Sequence, residues 1–310
     1  TTLPSFRRKS RNYFPFCQIF KQFQAFLLRP NNSHNAVFVC KFYPILLSLA
    51  RDYLKPSKNK MKLINRIILF TMAALTTSAC STAPQSAYPE DHLTTRNGKE
   101  LIIRFYAHSS LAICYDGRWI YTDPVGSNAD YASQPKADYI LVSHDHYDHL
   151  DTATVDLLST AKTHIYANAS SIAALGRGHV MHNGESVVPE EGIGIEAIPA
   201  YNFTEGHENF HPAGGRDNGY LLTLGGTRIY IAGDTENTPE MMQLQDIDIA
   251  FLPVNQPYTM TVDQAAEAIH AIRPTIFYPY HYGQVDEKTD INRLVELVKE
   301  ITDIRIRPME

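Results

Sequence analysis

The chain has 310 residues, 44% of them hydrophobic, with 28 Lys and Arg against 33 Asp and Glu, which suits one large domain or two small ones. The charge is unevenly spread: residues 1–60 carry eleven basic residues and one acidic, whereas residues 81–310 carry fifteen and thirty-two. A surplus of 17 acidic groups over the second part repels a phosphate backbone and argues against a polynucleotide substrate.

Residues 1–60 are basic and aromatic fragments broken by five prolines, and contain no methionine. The first methionine, Met61, opens MKLINRIILFTMAALTTSAC: a basic start, a short apolar run and small residues before Cys80. That is the layout of a secretory signal over 61–80 and is too short for a confident membrane span. Thr77-Ser78-Ala79-Cys80 resembles a bacterial lipoprotein cleavage box, with Thr77 where Leu is usual. The expectation is therefore an upstream leader over 1–60 outside the natural start of translation, a signal over 61–80, lipid attachment through Cys80, and a place in the bacterial cell envelope. Beyond Cys80 only Cys114 remains, which rules out a disulfide framework in the mature part.

A polar linker is expected over 81–98, followed by one domain over 99–310. Its first segment, LIIRFYAHSSLAICYDGRWIYTDP, gives two β-rich runs around Asp116-Gly117. DYILVS (138–143) is a short apolar run fit for a buried strand. From Asp151 the pattern turns helical, with Val155, Leu157 and Leu158 on one side. HIYAN reads as a strand, SSIAALG as a small helix, and SVV and IGIEAIPAY as strands. GYLLTLGGTRIYIAGD reads as a hairpin turning at Gly225-Gly226. The rest alternates: helix PEMMQL, strand IDIAFLPV, helix TVDQAAEAIHAI capped by Thr261 or Asp263, strand TIFYPYH, helix TDINRLVELVKEI and strand DIRIRP. Antiparallel hairpins followed by strands interleaved with helices predict an α/β sandwich with sheets inside and helices outside.

The stretch Ser143-His144-Asp145-His146-Tyr147-Asp148-His149 follows the 138–143 strand. Residues two apart in an extended chain project to one side, so His144 and His146 can face one ion. As the chain turns, Asp148 and His149 can reach a second. Imidazole and carboxylate without thiolate suit Zn²⁺, and also Mn²⁺ or Fe.

The pattern His144-X-His146-X-Asp148-His149 resembles the signature of the metallo-β-lactamase superfamily of metal-dependent hydrolases, and the element order resembles its four-layer αββα sandwich. TDP at 122–124, AGDT at 232–235, YTMTVDQAAEAI at 258–269 and YPYHYG at 278–283 resemble the branch of the ascorbate-phosphate lactonases and N-acylphosphatidylethanolamine phospholipases D. The resemblance implies that Asp234 bridges two metals and that His281 is the last ligand of the second; Asp234 could otherwise cap the TPEMM segment. Relatives place a third first-site histidine where this chain has Asn202, so His211 is expected in that role from the following loop, with His207 as its rival. The resemblance also casts Asp123 as the buried carboxylate holding a ligand histidine. It puts His108 at the mouth of the site, either touching substrate or lying on the surface.

Two cations with a bridging water would supply a hydroxide at neutral pH, beside which Asp148 could orient or accept the proton. The expected reaction is hydrolysis of an ester, lactone, amide or phosphodiester in a small or lipid-like substrate. No Gly-X-Ser-X-Gly nucleophile elbow is present. Loop 202–219 is expected to shape the mouth, with Arg216 as an anion anchor. The rival reading is a non-catalytic metal-binding envelope lipoprotein that keeps the fold.

Overall fold

The computed structural model describes residues 87–283 and 288–310. The expected leader, the signal with Cys80 and residues 81–86 of the expected linker lie outside the described residues.

Two seven-stranded sheets follow one another along the chain. The first runs β1 (Glu90–Thr94), β2 (Glu100–Ala107), β3 (Ser110–Tyr115), β4 (Arg118–Thr122), β5 (Tyr139–Val142), β6 (His164–Ala167) and β7 (His179–Val180) in spatial order. The second runs β8 (Ser186–Glu190), β9 (Ile193–Ala200), β10 (Asp217–Leu224), β11 (Thr227–Ile231), β12 (Ile249–Pro253), β13 (Ile276–Tyr280) and β14 (Asp303–Ile304). In each, the first four strands pair antiparallel and the later ones parallel. Helices α1 (Thr152–Leu158) and α2 (Ala169–Leu175) pack on the first sheet, and α3 (Val262–Ile272) and α4 (Ile291–Val298) on the second.

Period-two alternation explains the layers. Leu101, Ile103 and Phe105 of β2 enter the same cluster as Leu222 of β10, Phe251 of β12 and Tyr278 of β13, between the sheets. Their neighbours Leu221, Ala250 and Phe277 pack against α3 and α4. Strands buried on both faces read as continuous apolar runs. Helix α3 starts with a capping box in which Thr261 accepts from the Gln264 backbone while the Gln264 side chain accepts from Thr261 N–H. Val262, Ala265, Ala266, Ile269 and Ile272 form its buried stripe, and Arg273, in the left-handed region ahead of Pro274, ends it.

Several expectations need correction. Glu90–Thr94, inside the stretch read as linker, pairs with β2 along its whole length, so the folded unit begins before residue 99. The chain also turns at His108-Ser109, making three strands of the two expected runs. PEMMQL gives only a single 3₁₀ turn, Met241–Gln243, closed by the N–H of an extended Leu244 donating back to Met241 O. On α1 the buried residues are Thr154, Val155 and Leu158, while Leu157 faces solvent.

β1 is clamped to the second sheet by charge. Asp91 accepts from Arg307 Nη2 at 2.6 and 2.7 Å, from Arg305 Nη1 at 3.2 Å and from Tyr278 Oη at 2.5 Å. The Arg307 guanidinium also lies over the rings of Phe105 and Tyr278. Burial pushes the Asp91 carboxyl up, but its bonds to Arg307 and Tyr278 bring it below the usual range. Asp91→Asn is expected to cost about 2 kcal/mol at neutral pH. A depressed carboxyl stabilises above its unfolded pKa, near 4, and loses that contribution as pH falls through the lower folded value. Urea unfolding of both proteins should show their difference shrinking in acid; a pH-independent difference rejects the clamp as a charge effect.

Candidate metal centre

The site stands where β4, β5, β11, β12 and β13 end, so both sheets supply it. After β5 the chain curls, with the N–H groups of His149 and Leu150 both donating to His146 O at 3.0 and 2.9 Å. The curl buries His144 and His149, leaves His146 and Asp148 half-buried, and turns Asp145 and Tyr147 outward. Gly233 lets the other half approach: its φ is +67°, and a Cβ there would lie 3.2 Å from Ser143 Cβ and 2.8 Å from Asn218 O.

Asp234, one residue on, is the centre of the cluster. Its Oδ2 is 3.3 Å from His149 Nε2, 3.4 Å from His211 Nε2 and 3.1 Å from His281 Nε2. The His144 and His146 rings are 4.4 Å apart, and His211 is 5.0 Å from each. Asp148 Oδ2 is 3.9 Å from the Nε2 atoms of both His149 and His281. Three overlapping groups therefore have donor atoms close enough for one ion: His144, His146 and His211; His144, His149 and Asp234; and His108, Asp148, His149 and His281.

An outer ring of polar groups aims these side chains. Asp123 Oδ2 is 2.9 Å from His149 Nδ1, and the same carboxylate accepts from Ser143 N and Ser143 Oγ. Ser143 Oγ lies 2.9 Å from His144 Nδ1. Asp217 Oδ2 is 3.1 Å from His211 Nδ1, and the Asn255 amide is 3.2 Å from His281 Nδ1. With Nδ1 occupied in this way, the ring presents Nε2 inward. The Nε2 atoms of His144, His149 and His281, with Asp234 Oδ1, are buried without a hydrogen-bond partner. Leaving four such atoms unpaired is costly unless something else satisfies them, and their donor types are those of a divalent-metal site.

The charges agree with that fit. Burial, reinforced by neighbouring rings, holds His144 well below its ordinary pKa and lowers His146 too, so both offer neutral lone pairs. Burial opposes ionisation of Asp234, yet His149 and His281 hold it well below the carboxylate range. Burial likewise lowers His149, but the Asp234 and Asp123 carboxylates outweigh it and raise the ring well above its usual value. Asp148 is pushed up by burial and brought down by His108 and His149, to about 2.

The structure sorts the remaining candidates. His211 lies in the cluster, whereas His207 points to Glu236, 3.5 Å away, and stays outside it. Asn202 is buried and braces the loop instead of touching a ligand ring: its N–H donates to His211 O and its amide to Tyr258 O. Arg216, expected as an anion anchor, is bound to Asp217 at 2.6 and 2.7 Å, so it supports the carboxylate behind His211. His108, expected at the mouth, is 95% buried with Nε2 3.1 Å from Asp148 Oδ2. Asp234 caps no helix; the following 3₁₀ turn begins after Glu240. Ser143, Asp217 and Asn255 were not singled out in the sequence. Ser143 alone carried a signal, as the hydroxyl next to the first histidine.

The chain belongs to the family described as beta-lactamase superfamily domain, which it matches over residues 102–281. A UPF0173 metal-dependent hydrolase of Symbiobacterium thermophilum is 32% identical over 195 residues, covering 58% of this chain and 84% of the relative. Another, from Flavobacterium johnsoniae, is 31% identical over 219 residues, covering 64% and 94%. Among solved structures, a Parabacteroides distasonis protein assigned as a metal-dependent hydrolase is 50% identical with a TM-score of 0.69, covering 72% of this chain and all of its own. Igni18, a metallo hydrolase from Ignicoccus hospitalis, is 24% identical with a TM-score of 0.59, covering 68% and 96%, and shares the fold.

Because Asp123 holds His149 directly and His144 through Ser143, Asp123→Ala is expected to lower the affinity of the cluster for Zn²⁺ by about 10–100-fold. Competition against a chromophoric chelator measures this; unchanged affinity would show that the carboxylate does not aim the rings.

Proposed function

We propose that the chain is a dinuclear metal-dependent hydrolase, with His144, His146 and His211 around one divalent ion, Asp148, His149 and His281 around the other, and Asp234 between them. The observation that carries this is Asp234 Oδ2 lying within 3.4 Å of histidine nitrogens from both groups, beside buried donors without partners. Family membership and the metal-dependent hydrolases among the relatives support it. The ligand set suits Zn²⁺ best, with Mn²⁺ or Fe as alternatives.

Such ions, when bound, make a coordinated water acidic enough to ionise near neutral pH and stabilise charge on the substrate oxygen. The chain's own part is to hold that water and its proton. Asp148 is ionised and the more exposed of the two cluster carboxylates, so while helping to hold the second ion it would orient the attacking water or accept its proton. The bond cleaved is an ester, lactone, amide or phosphodiester in a small or lipid-like molecule, and the likeness of 122–124, 232–235, 258–269 and 278–283 to lactonase and phospholipase segments makes lactones and phosphodiesters the first to try. Anchoring to the bacterial envelope through Cys80 belongs to the same reading and rests on residues 77–80 alone.

Elemental analysis of the purified chain should find about two equivalents of Zn, Mn or Fe, with less in Asp234→Ala and His211→Ala, and hydrolysis of a lactone or phosphodiester should fall at least 100-fold in Asp234→Ala. A chain that takes up no metal on reconstitution would overturn this reading, whereas metal uptake without hydrolysis would instead fit a metal-binding protein that keeps the fold.

A further inference from the structure

His108 breaks the pattern of the other buried histidines. In His144, His149, His211 and His281 the Nδ1 atom faces an outer partner and Nε2 points to the centre. In His108 it is Nε2 that is engaged, 3.1 Å from Asp148 Oδ2, while Nδ1 is buried with no hydrogen-bond partner. An ionised carboxylate only accepts, so this bond requires the proton on Nε2, which leaves no lone pair there for a metal. The alternative tautomer would bury an N–H without an acceptor, a rarer defect than a buried lone pair without a donor. His108 is thus built to hold Asp148, although its ring lies in the same four-residue group as three expected ligands.

It also holds the opposite sheet. His108 sits at φ +57° in the tight turn between β2 and β3, and its carbonyl accepts from His281 N at 3.0 Å. Its ring lies 3.7 Å from that of His281, centre to centre. We propose that His108 is a positioning residue for the second metal site, fixing Asp148 by an Nε2–H···Oδ2 bond and His281 by ring contact and a backbone bond. Two ligands carried by different sheets thereby acquire one common reference. The inference rests on the dinuclear reading above.

The test is Zn²⁺ titration of the full chain against a chromophoric chelator, with elemental analysis, for the wild type, His108→Ala and His108→Gln, after circular dichroism has shown each metal-free protein folded. His108→Ala should bind the first ion normally and the second at least 10-fold more weakly. Adding His211→Ala should then weaken the other ion, whereas His108→Ala introduced into Asp148→Ala should weaken the second ion less than it does in the wild type, because the carboxylate it positions is already gone. His108→Gln, whose amide can donate from the place of Nε2, should recover most of the second-ion affinity. An unchanged second ion, or equal weakening of both ions, overturns the proposal. Loss without rescue by Gln overturns it in favour of His108 as a ligand. A wild-type chain that binds no Zn²⁺ fails the dinuclear reading itself, a result distinct from each of these.

Discussion

One buried negative charge governs the architecture. Asp234 is 97% buried at the end of a strand, with three imidazoles drawn to one of its oxygens and nothing on the other. A lone carboxylate in that position would take up a proton instead of ionising. It is kept ionised by rings that are themselves held from behind, by Asp123, Asp217 and Asn255. The outer carboxylates carry the same sign as the centre, so the assembly calls for positive charge, and a protein fold meets such a demand with protons or metal ions.

The backbone around the centre is bent to suit. Among the described residues, six other than glycine have φ in the left-handed region; Asp116, Asp246 and Arg273 lie in turns or at a helix end, and the other three are His108, Asp123 and His281. Each such residue costs on the order of 1 kcal/mol or more, and half of them gather within one site. The two sheets make this tolerable. Each begins as an antiparallel meander and continues as parallel strands, whose ends release short loops from a rigid platform.

The sequence was most legible where spacing alone carries the chemistry. His144-X-His146-X-Asp148-His149 after an apolar run pointed to a metal site, and the strand-then-helix order pointed to a layered sandwich. The helix over α3 was equally visible, being local, with a cap at Thr261 or Asp263 that the structure assigns to Thr261. What could not be read is what depends on the third dimension. Asp217 and Asn255 are unremarked polar residues until His211 and His281 fold against them. His108 sat in a stretch that looked like mouth, and only the pairing of β2 with β3 turns it inward. Arg216 seemed free for an anion because nothing in a string of letters shows that its neighbour Asp217 claims it. Glu90–Thr94 read as linker because an edge strand with four polar residues in five lacks apolar alternation, and its place is fixed by a clamp 216 residues downstream.

The division of the cluster between two sheets ties chemistry to folding. His144, His146, Asp148 and His149 belong to the first sheet's loops, and His211, Asp234 and His281 to the second's. On the proposed reading an ion there is a cross-link between halves of the molecule, present only when both are in place. Ligand that binds the native state alone stabilises it by about 2.7 kcal/mol at a free concentration 100 times its Kd. The supply of metal in the surrounding medium would then decide how long the chain resists unfolding and proteolysis, as well as whether it turns over substrate.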